Sequence, residues 1–338
     1  MKILIVGNHS GTNVGGSLLH AAGQAGFTAE IVENDLAYGG PKIWRSLCWH
    51  LLARSPSSPG RLAAALTAAV NKDVPPLLLT TGISPVRSEE LRLVRSRGGV
   101  TANFLTDDPW NLPGGIRHFV RTIPDYDIIF SPRRSVFSDL QAAGAKHFVY
   151  LPFGYDARFF PGHDSDNAAS DGEQTDVLFV GGADADRAPF LHALARAGIA
   201  VAAYGSYWNR FPVSGLEDRG QASPGIIAAA TRIARLNLIL ARRSNRDGHV
   251  MRSFEAAACG GCLLVEDTQE HREIFGSTVT FFSSPEEMVR SAKDLLHDAG
   301  RRQTSAEASR NLIVRDGKHT YLDRLQTIVS EARRVKPR

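Results

Sequence analysis

With 338 residues, 43% apolar and 22% charged, the chain has the makeup of a soluble globular protein and the length for two domains with separate cores. Its net charge of +4, from 39 basic and 35 acidic residues, suits anionic substrates or an anionic membrane surface but is too small to predict a nucleic-acid partner. Apolar runs fall short of the roughly 20 residues that cross a bilayer, and three cysteines predict no disulfide framework, so the expected location is cytoplasmic.

Met1 leads directly into Lys-Ile-Leu-Ile-Val, which reads as a strand over 2–6 rather than a signal peptide. Gly7 ends it, and a loop with glycine at 11, 15 and 16 runs into a helix over 17–25. That loop lacks G-x-G-x-x-G spacing, which argues against a dinucleotide cofactor. A strand over Thr28–Val32 completes a βαβ unit. Residues 41–70 are helical in pattern, broken by Pro56 to Gly60. In the first part Ile43, Trp44, Leu47, Cys48, Leu51 and Leu52 recur at three-and-four spacing among Lys42, Arg45 and Arg54. A basic, Trp-bearing amphipathic helix either covers a sheet or lies in a membrane interface.

Leu77–Thr80 and Val100–Leu105 are strands, with a helix over Ser88–Arg97 between them. The second strand runs into Thr106-Asp107-Asp108-Pro109-Trp110. Ligands of doubly wound sheets collect outside the carboxyl ends of the strands, so Asp107 and Asp108 are catalytic candidates. The bland reading is an N-cap and a surface charge. His118, eleven residues after Asp107, is a second base candidate, although a lone His more often packs or faces solvent. The strand Tyr126–Phe130, the helix Ser135–Ala143 and the strand Phe148–Tyr150 follow. Residues 161–175 are polar and acidic, a linker or surface loop.

The second half opens with a strand over Val177–Val180 and a Gly181-Gly182-Ala183-Asp184-Ala185-Asp186-Arg187 turn. Two glycines allow backbone to approach a distal phosphate, and Arg187 can neutralise it. A helix over 188–197, the strand Val201–Tyr204, an aromatic turn at Tyr207-Trp208, a helix over 225–235 and the strand Leu236–Leu240 lead to RRSNRDGHVMRSFEAAACGGCLLVEDTQEHRE, residues 242–273. This reads as a loop, a helix over Val250–Ala258 stopped by Gly260-Gly261, and a buried strand over Cys262–Val265. A helix start offers unpaired N–H groups and the positive end of a dipole, which suit a diphosphate. Asp247 and Glu255 lie about 12 Å apart along a helical path, roughly the reach from the sugar of a sugar nucleotide to its ribose. Helices over 285–298 and 301–335 close the chain.

The R-S-N-R-D-G-x-x-M-R-x-F-E-x-x-A-C-G-G run resembles the CgeB-like, spore-maturation type of glycosyltransferase and the wider acidic-x7-Glu signature of retaining enzymes. His319-Thr320-Tyr321 with Arg324-Leu325 is a second such feature. The resemblance implies an α/β GT-B fold: two Rossmann-like doubly wound domains facing a cleft, with a C-terminal helix crossing back to the first. The divisions expected are an acceptor domain over 1–155, a linker over 156–175, a nucleotide-sugar domain over 176–300 and bracing helices over 301–338. It also implies a sugar contact for Asp247, a ribose contact for Glu255, and ribose or base contacts for Glu266, Asp267 and Glu270. Acceptor contacts fall to Asn8, His9, Gly15 and Gly16. Gly181, Gly182, Arg187, Arg243, Arg246, Gly248 and His249 are counted with the donor site, and Arg252 is a further candidate cation. Enzymes of this fold stabilise the leaving diphosphate with protein cations and helix dipoles, so no metal and no resident cofactor are expected.

The expected partners are a nucleotide sugar, a UDP-sugar first, and a small-molecule, glycan or lipid-linked acceptor, with peripheral contact at the inner face of a membrane as an open alternative. A GT-B-like sugar-nucleotide epimerase and a non-catalytic sugar-nucleotide-binding protein are the competing functions. Cys259 and Cys262 form C-x-x-C without a second pair, so packing is expected rather than zinc or redox chemistry.

Overall fold

A computed structural model describes residues 1–52, 54–111, 116–160, 175–246 and 248–335. The described chain divides into two units. One holds Met1–Pro152, Ser244–Arg246 and the chain from Tyr321 on; the other holds Phe153–Arg243 and residues 248–320.

The first unit is built on strands β1 (Lys2–Gly7), β2 (Thr28–Glu33), β3 (Leu77–Thr81), β4 (Val100–Phe104), β5 (Ile128–Ser131) and β6 (Phe148–Tyr150), all parallel, in the order β2-β1-β3-β4-β5-β6. Interior parallel strands are covered on both faces and so read as unbroken apolar runs. β1, β3, β4 and β5 are buried almost throughout, whereas the edge strands β2 and β6 are only partly covered. Leu4, Val6, Leu78 and Ile129 form one core with Leu66, Val70, Leu91, Phe119 and Leu140 from the covering helices. The final helix, Tyr321–Arg334, packs against Val14–Gln24 in this unit, and Arg324 Nε donates to the Pro152 carbonyl at 2.7 Å.

One helix departs from the sheet-covering alternative. Lys42–His50 buries only Cys48 and leaves Ile43 86% exposed. The sheet is instead covered by Pro59–Lys72, through Leu62, Leu66 and Val70.

The second unit carries β7 (Val177–Val180), β8 (Val201–Tyr204), β9 (Leu216–Asp218), β10 (Leu236–Ile239), β11 (Leu263–Glu266) and β12 (Thr280–Phe282), again all parallel, in the order β12-β11-β10-β7-β8-β9. β11 shows how one strand serves two layers: Leu264 joins the core of Leu191, Leu194, Met288 and Leu295, while Leu263 and Val265 join that of Phe254, Phe275 and Ile313. β9, β12 and the helix Gln269–Phe275 were not anticipated. β9 and β12 are three residues each and mostly only partly covered.

The tail also differs from a single helical portion. Ala299–Arg310 continues as a wider turn over Asn311–Asp316, and the chain then opens before Tyr321–Arg334. Thr320 bridges Tyr155, and the His319 carbonyl accepts from Tyr155 N–H at 3.0 Å. The unit boundary falls there, between Thr320 and Tyr321. No described helix is long and apolar enough to cross a membrane.

Helix Val14–Gln24 offers a direct test of how the first βα junction closes. A Cβ on Gly16 would overlap the His9 carbonyl, and one on Gly15 would sit 2.9 Å from the Asn8 carbonyl, whereas one on Gly23 meets nothing within 4 Å. Gly23→Ala should stabilise by up to about 1 kcal/mol through helix propensity. Gly16→Ala should destabilise by about 1–3 kcal/mol through overpacking. Thermal unfolding of the two variants reads the opposite signs; equal shifts would mean that the junction opens without cost.

Candidate functional site

In an open parallel sheet, ligands bind at the carboxyl edge where crossovers leave in opposite directions. The second sheet has that point between β7 and β10, its two central strands. Gly181-Gly182 follows β7, and Arg242-Arg243 follows β10, so both turns leave the same edge from neighbouring strands. Arg187, at the far end of the glycine turn, folds back on it. Its Nη1 donates to the Gly182 carbonyl at 3.1 Å, its guanidinium lies 5.7 Å over the Phe179 ring, and the residue is buried. It therefore braces the turn. Gly205, after β8, has φ +151°, and a Cβ there would overlap the Gly181 carbonyl. The β8 turn thus closes directly against the β7 turn. Trp208 Nε1 donates to the same carbonyl at 3.3 Å, which buries one of the two aromatics of that turn. Tyr207 remains 55% exposed.

The segment after β10 is held by carboxylates. Glu266, at the end of β11, accepts from the Ala241 N–H at 2.8 Å and from Arg243 Nη2 at 3.2 Å. The Arg243 side chain is 61% exposed, which leaves room for an anion beside it. Asp247 lies outside the described residues. Beyond it the Gly248 carbonyl accepts from Thr268 Oγ1, and a Cβ at Gly248 would meet the Glu270 carboxyl. His249 is fully buried; its Nε2 accepts from Phe153 N–H at 3.1 Å, so Nδ1 carries the proton it shares with Glu270 Oε2 at 2.7 Å. Gly248, His249, Thr268 and Glu270 thus form a strut under the loop.

The helix Met251–Ala258 has Val250 at its N-cap, which offers no side-chain acceptor to the first-turn amides. An anion could take that place. Glu255 sits within this helix at 1% exposure. Burial pushes its carboxyl up to about 7, against Arg252, whose Nη1 lies 2.5 Å away, and with help from Asp156. A carboxyl so poised accepts from hydroxyl groups when ionised and donates when protonated. Cys259 and Cys262 are unbridged and buried, their thiols raised to about 12 and about 11 by burial. The structure therefore uses them for packing.

In the first unit, Asp108 is fully buried. Its Oδ1 accepts from Trp110 and Asn111 N–H at 2.9 and 3.1 Å, and its Oδ2 from Arg246 Nε at 2.5 Å. Arg246 also donates to Asp139 at 2.7 Å, and the two acids raise its pKa, Asp108 first. Asn245 Oδ1 accepts from Asp108 N–H at 3.3 Å, and its Nδ2 faces Asp107 Oδ1 at 3.4 Å. Asp108 is therefore a buried brace of its own turn, and the next described helix, Arg117–Val120, has Ile116 at its N-cap. Asp107 is the partly exposed acid of the pair. His118 is mostly buried, which lowers its pKa to about 4, and neither ring nitrogen has a partner among the described residues. Asn8 Nδ2 donates to Asp35 at 3.1 Å, and His9 Nδ1 pairs with Glu33, at the carboxyl ends of β1 and β2. Gly15 and Gly16 abut that loop.

Comparison with solved structures decides the architecture. A sucrose-phosphate synthase from Thermosynechococcus elongatus superposes with a TM-score of 0.72 at 12% identity, covering 99% of this chain and 98% of that one. The fold is GT-B. The trehalose-6-phosphate structure from E. coli, bound with UDP-2-fluoro glucose, matches with a TM-score of 0.67 at 12% identity over 100% of both chains. A protein designated a UDP-N-acetylglucosamine 2-epimerase, from Listeria monocytogenes, matches with a TM-score of 0.57 at 12% identity, over 100% of this chain and 98% of that one. Residues 187–330 match the family model described as Glycosyl transferase-like. No curated protein sequence matches.

The expected residues therefore fall into separate clusters. Gly181, Gly182 and Arg187 share one turn, Arg243 and Glu266 an ion pair, and Asp107, Asp108 and Arg246 a third group. Asn245, Asp139 and Thr268 were given no role from sequence, although Asn245 stands inside the motif.

Glu255 makes a pH prediction. Its carboxyl rises from 4.5 to about 7 on folding, so the folded chain holds that proton more tightly. Its contribution to stability is full below pH 4.5, falls as pH rises to about 7, and is flat above. Glu255→Gln should flatten this decline, by on the order of 3 kcal/mol at most. Identical slopes of urea midpoint against pH in both proteins would show an unshifted carboxyl.

Proposed function

We propose that the chain is a glycosyltransferase that moves a sugar from a nucleotide sugar, a UDP-sugar first, to a hydroxyl-bearing acceptor, with retention and without a metal. The observation that carries this reading is the switch point of the second sheet. There a glycine turn and an arginine turn leave adjacent strands, and the arginine turn lies within residues 187–330, which match a glycosyl transferase-like family model. The neighbour bound with UDP-2-fluoro glucose supports the donor class. The acidic-x7-Glu spacing of Asp247 and Glu255 supports retention.

In this reading the bond from the sugar's anomeric carbon to the β-phosphate oxygen breaks, and its electron pair stays on the diphosphate. The acceptor oxygen bonds to that carbon on the same face, and its proton passes to the departing phosphate oxygen. Arg243 meets the diphosphate, because Arg187 and Arg246 are engaged in bracing their own loops. Glu255 accepts from the ribose hydroxyls and Asp247 from the sugar. The first unit takes the acceptor, with Asn8, His9 and Asp107 as contacts. An acceptor-independent epimerase is the second reading, favoured by the Listeria neighbour.

Calorimetric titration of UDP and GDP tests the donor assignment. UDP should bind wild type, and Glu255→Ala should weaken it by more than tenfold. Arg243→Ala should lower turnover by about 10²–10³-fold, as for loss of one oxyanion donor. Equal binding by wild type and Glu255→Ala would remove Glu255 from the site. Conversion of donor alone to an epimer would replace transfer by epimerisation.

A further inference from the structure

Seven of the ten exposed large hydrophobic side chains of the described chain lie between residues 36 and 52: Leu36, Ile43, Trp44, Leu47, Trp49, Leu51 and Leu52. They centre on the helix Lys42–His50, which is exposed at every position except Cys48. This surface is built rather than frayed. Trp44 Nε1 donates to the Ser57 carbonyl at 3.0 Å, Ser57 Oγ to the Gly39 carbonyl at 2.8 Å, and Ser58 N–H to the Ala37 carbonyl at 2.8 Å. Tyr38 meets Trp49 edge to face at 6.5 Å, and the Arg54 guanidinium lies 5.3 Å over the Trp49 ring.

Its charge is mainly positive, with Asp35 at its border. From Leu36 to Lys72 there is no Asp or Glu, while Lys42, Arg45, Arg54, Arg61 and Lys72 occur. A second copy of this chain, meeting the patch with the same patch, would bring those cations together, because a two-fold contact is self-complementary. A surface that accepts apolar side chains and also carries negative charge satisfies both features. Tryptophan and leucine with flanking cations are the side chains that settle at the boundary of headgroups and acyl chains.

We propose that residues 36–54 dock the first unit onto an anionic lipid bilayer, with the helix Lys42–His50 lying in the plane of the interface. Ile43, Leu47 and Leu51 enter the acyl boundary, and Lys42, Arg45 and Arg54 stay among the headgroups. Such docking is independent of the reaction assigned to the chain, since none of these residues belongs to the donor site.

Co-sedimentation with extruded vesicles tests it, using phosphatidylcholine alone and phosphatidylcholine with about one third phosphatidylglycerol. Wild type should pellet with the anionic vesicles, lose that binding in high salt, and shift its tryptophan emission to the blue. Lys42→Gln with Arg45→Gln should weaken partitioning by more than tenfold, at roughly fivefold for each cation. Ile43→Ser with Leu47→Ser should weaken it comparably. Both pairs should keep wild-type urea midpoints, since the four side chains are exposed. Wild type that stays in the supernatant with anionic vesicles, or vesicle binding equal in all three proteins, would overturn the proposal. A dimer in sedimentation velocity that Ile43→Ser with Leu47→Ser dissociates, without vesicle binding, would assign the surface to a second copy.

Discussion

Parallel strands leave all their carboxyl ends on one edge, and that constraint organises both units. In the second, the chain winds outward from β7 through β8 and β9, then restarts at β10 and winds the other way through β11 and β12. Neighbouring turns are pulled apart only where the winding reverses. The Gly181 turn and the Arg243 turn occupy that place, and the rest of the motif is hung from it. Glu266 ties the Ala241 amide to the end of β11, and the Glu270–His249–Phe153 chain fixes the loop further on.

The cost of holding such a loop explains which ionic groups are spent on structure. Arg187 satisfies the Gly182 carbonyl, and Arg246, in a left-handed conformation with φ +48°, is shared between Asp108 and Asp139. A buried carboxylate such as Asp108 needs a full set of donors, and it has two amides and a guanidinium. Charges in these positions set backbone geometry. Arg243, by contrast, keeps an exposed side chain beside Glu266.

The helix Lys42–His50 presents the opposite problem. Its apolar side chains have no core to enter, because Pro59–Lys72 already covers the sheet. Amphipathic spacing records only that one face is apolar. Which surface that face meets depends on what the neighbouring helix has already filled.

The order of strands and helices was legible in the residues, since apolar runs ended by glycine and the three-and-four spacing of helices are local signals. So was the 242–273 motif, whose resemblance pointed to the GT-B architecture that the solved structures bear out. The strand Thr280–Phe282 was not, being three residues long with only one of them buried, nor was the opened stretch at His319–Thr320, whose partner Tyr155 lies far away in sequence. The division of labour among the charged residues was hidden for the same reason. By itself the sequence determined most of the strands and helices and where the 242–273 motif stands. Only the tertiary structure decided that Asp108 and His249 are buried braces while Arg243 and the face of Lys42–His50 stay exposed, because burial is set by what packs against a side chain and not by the side chain itself.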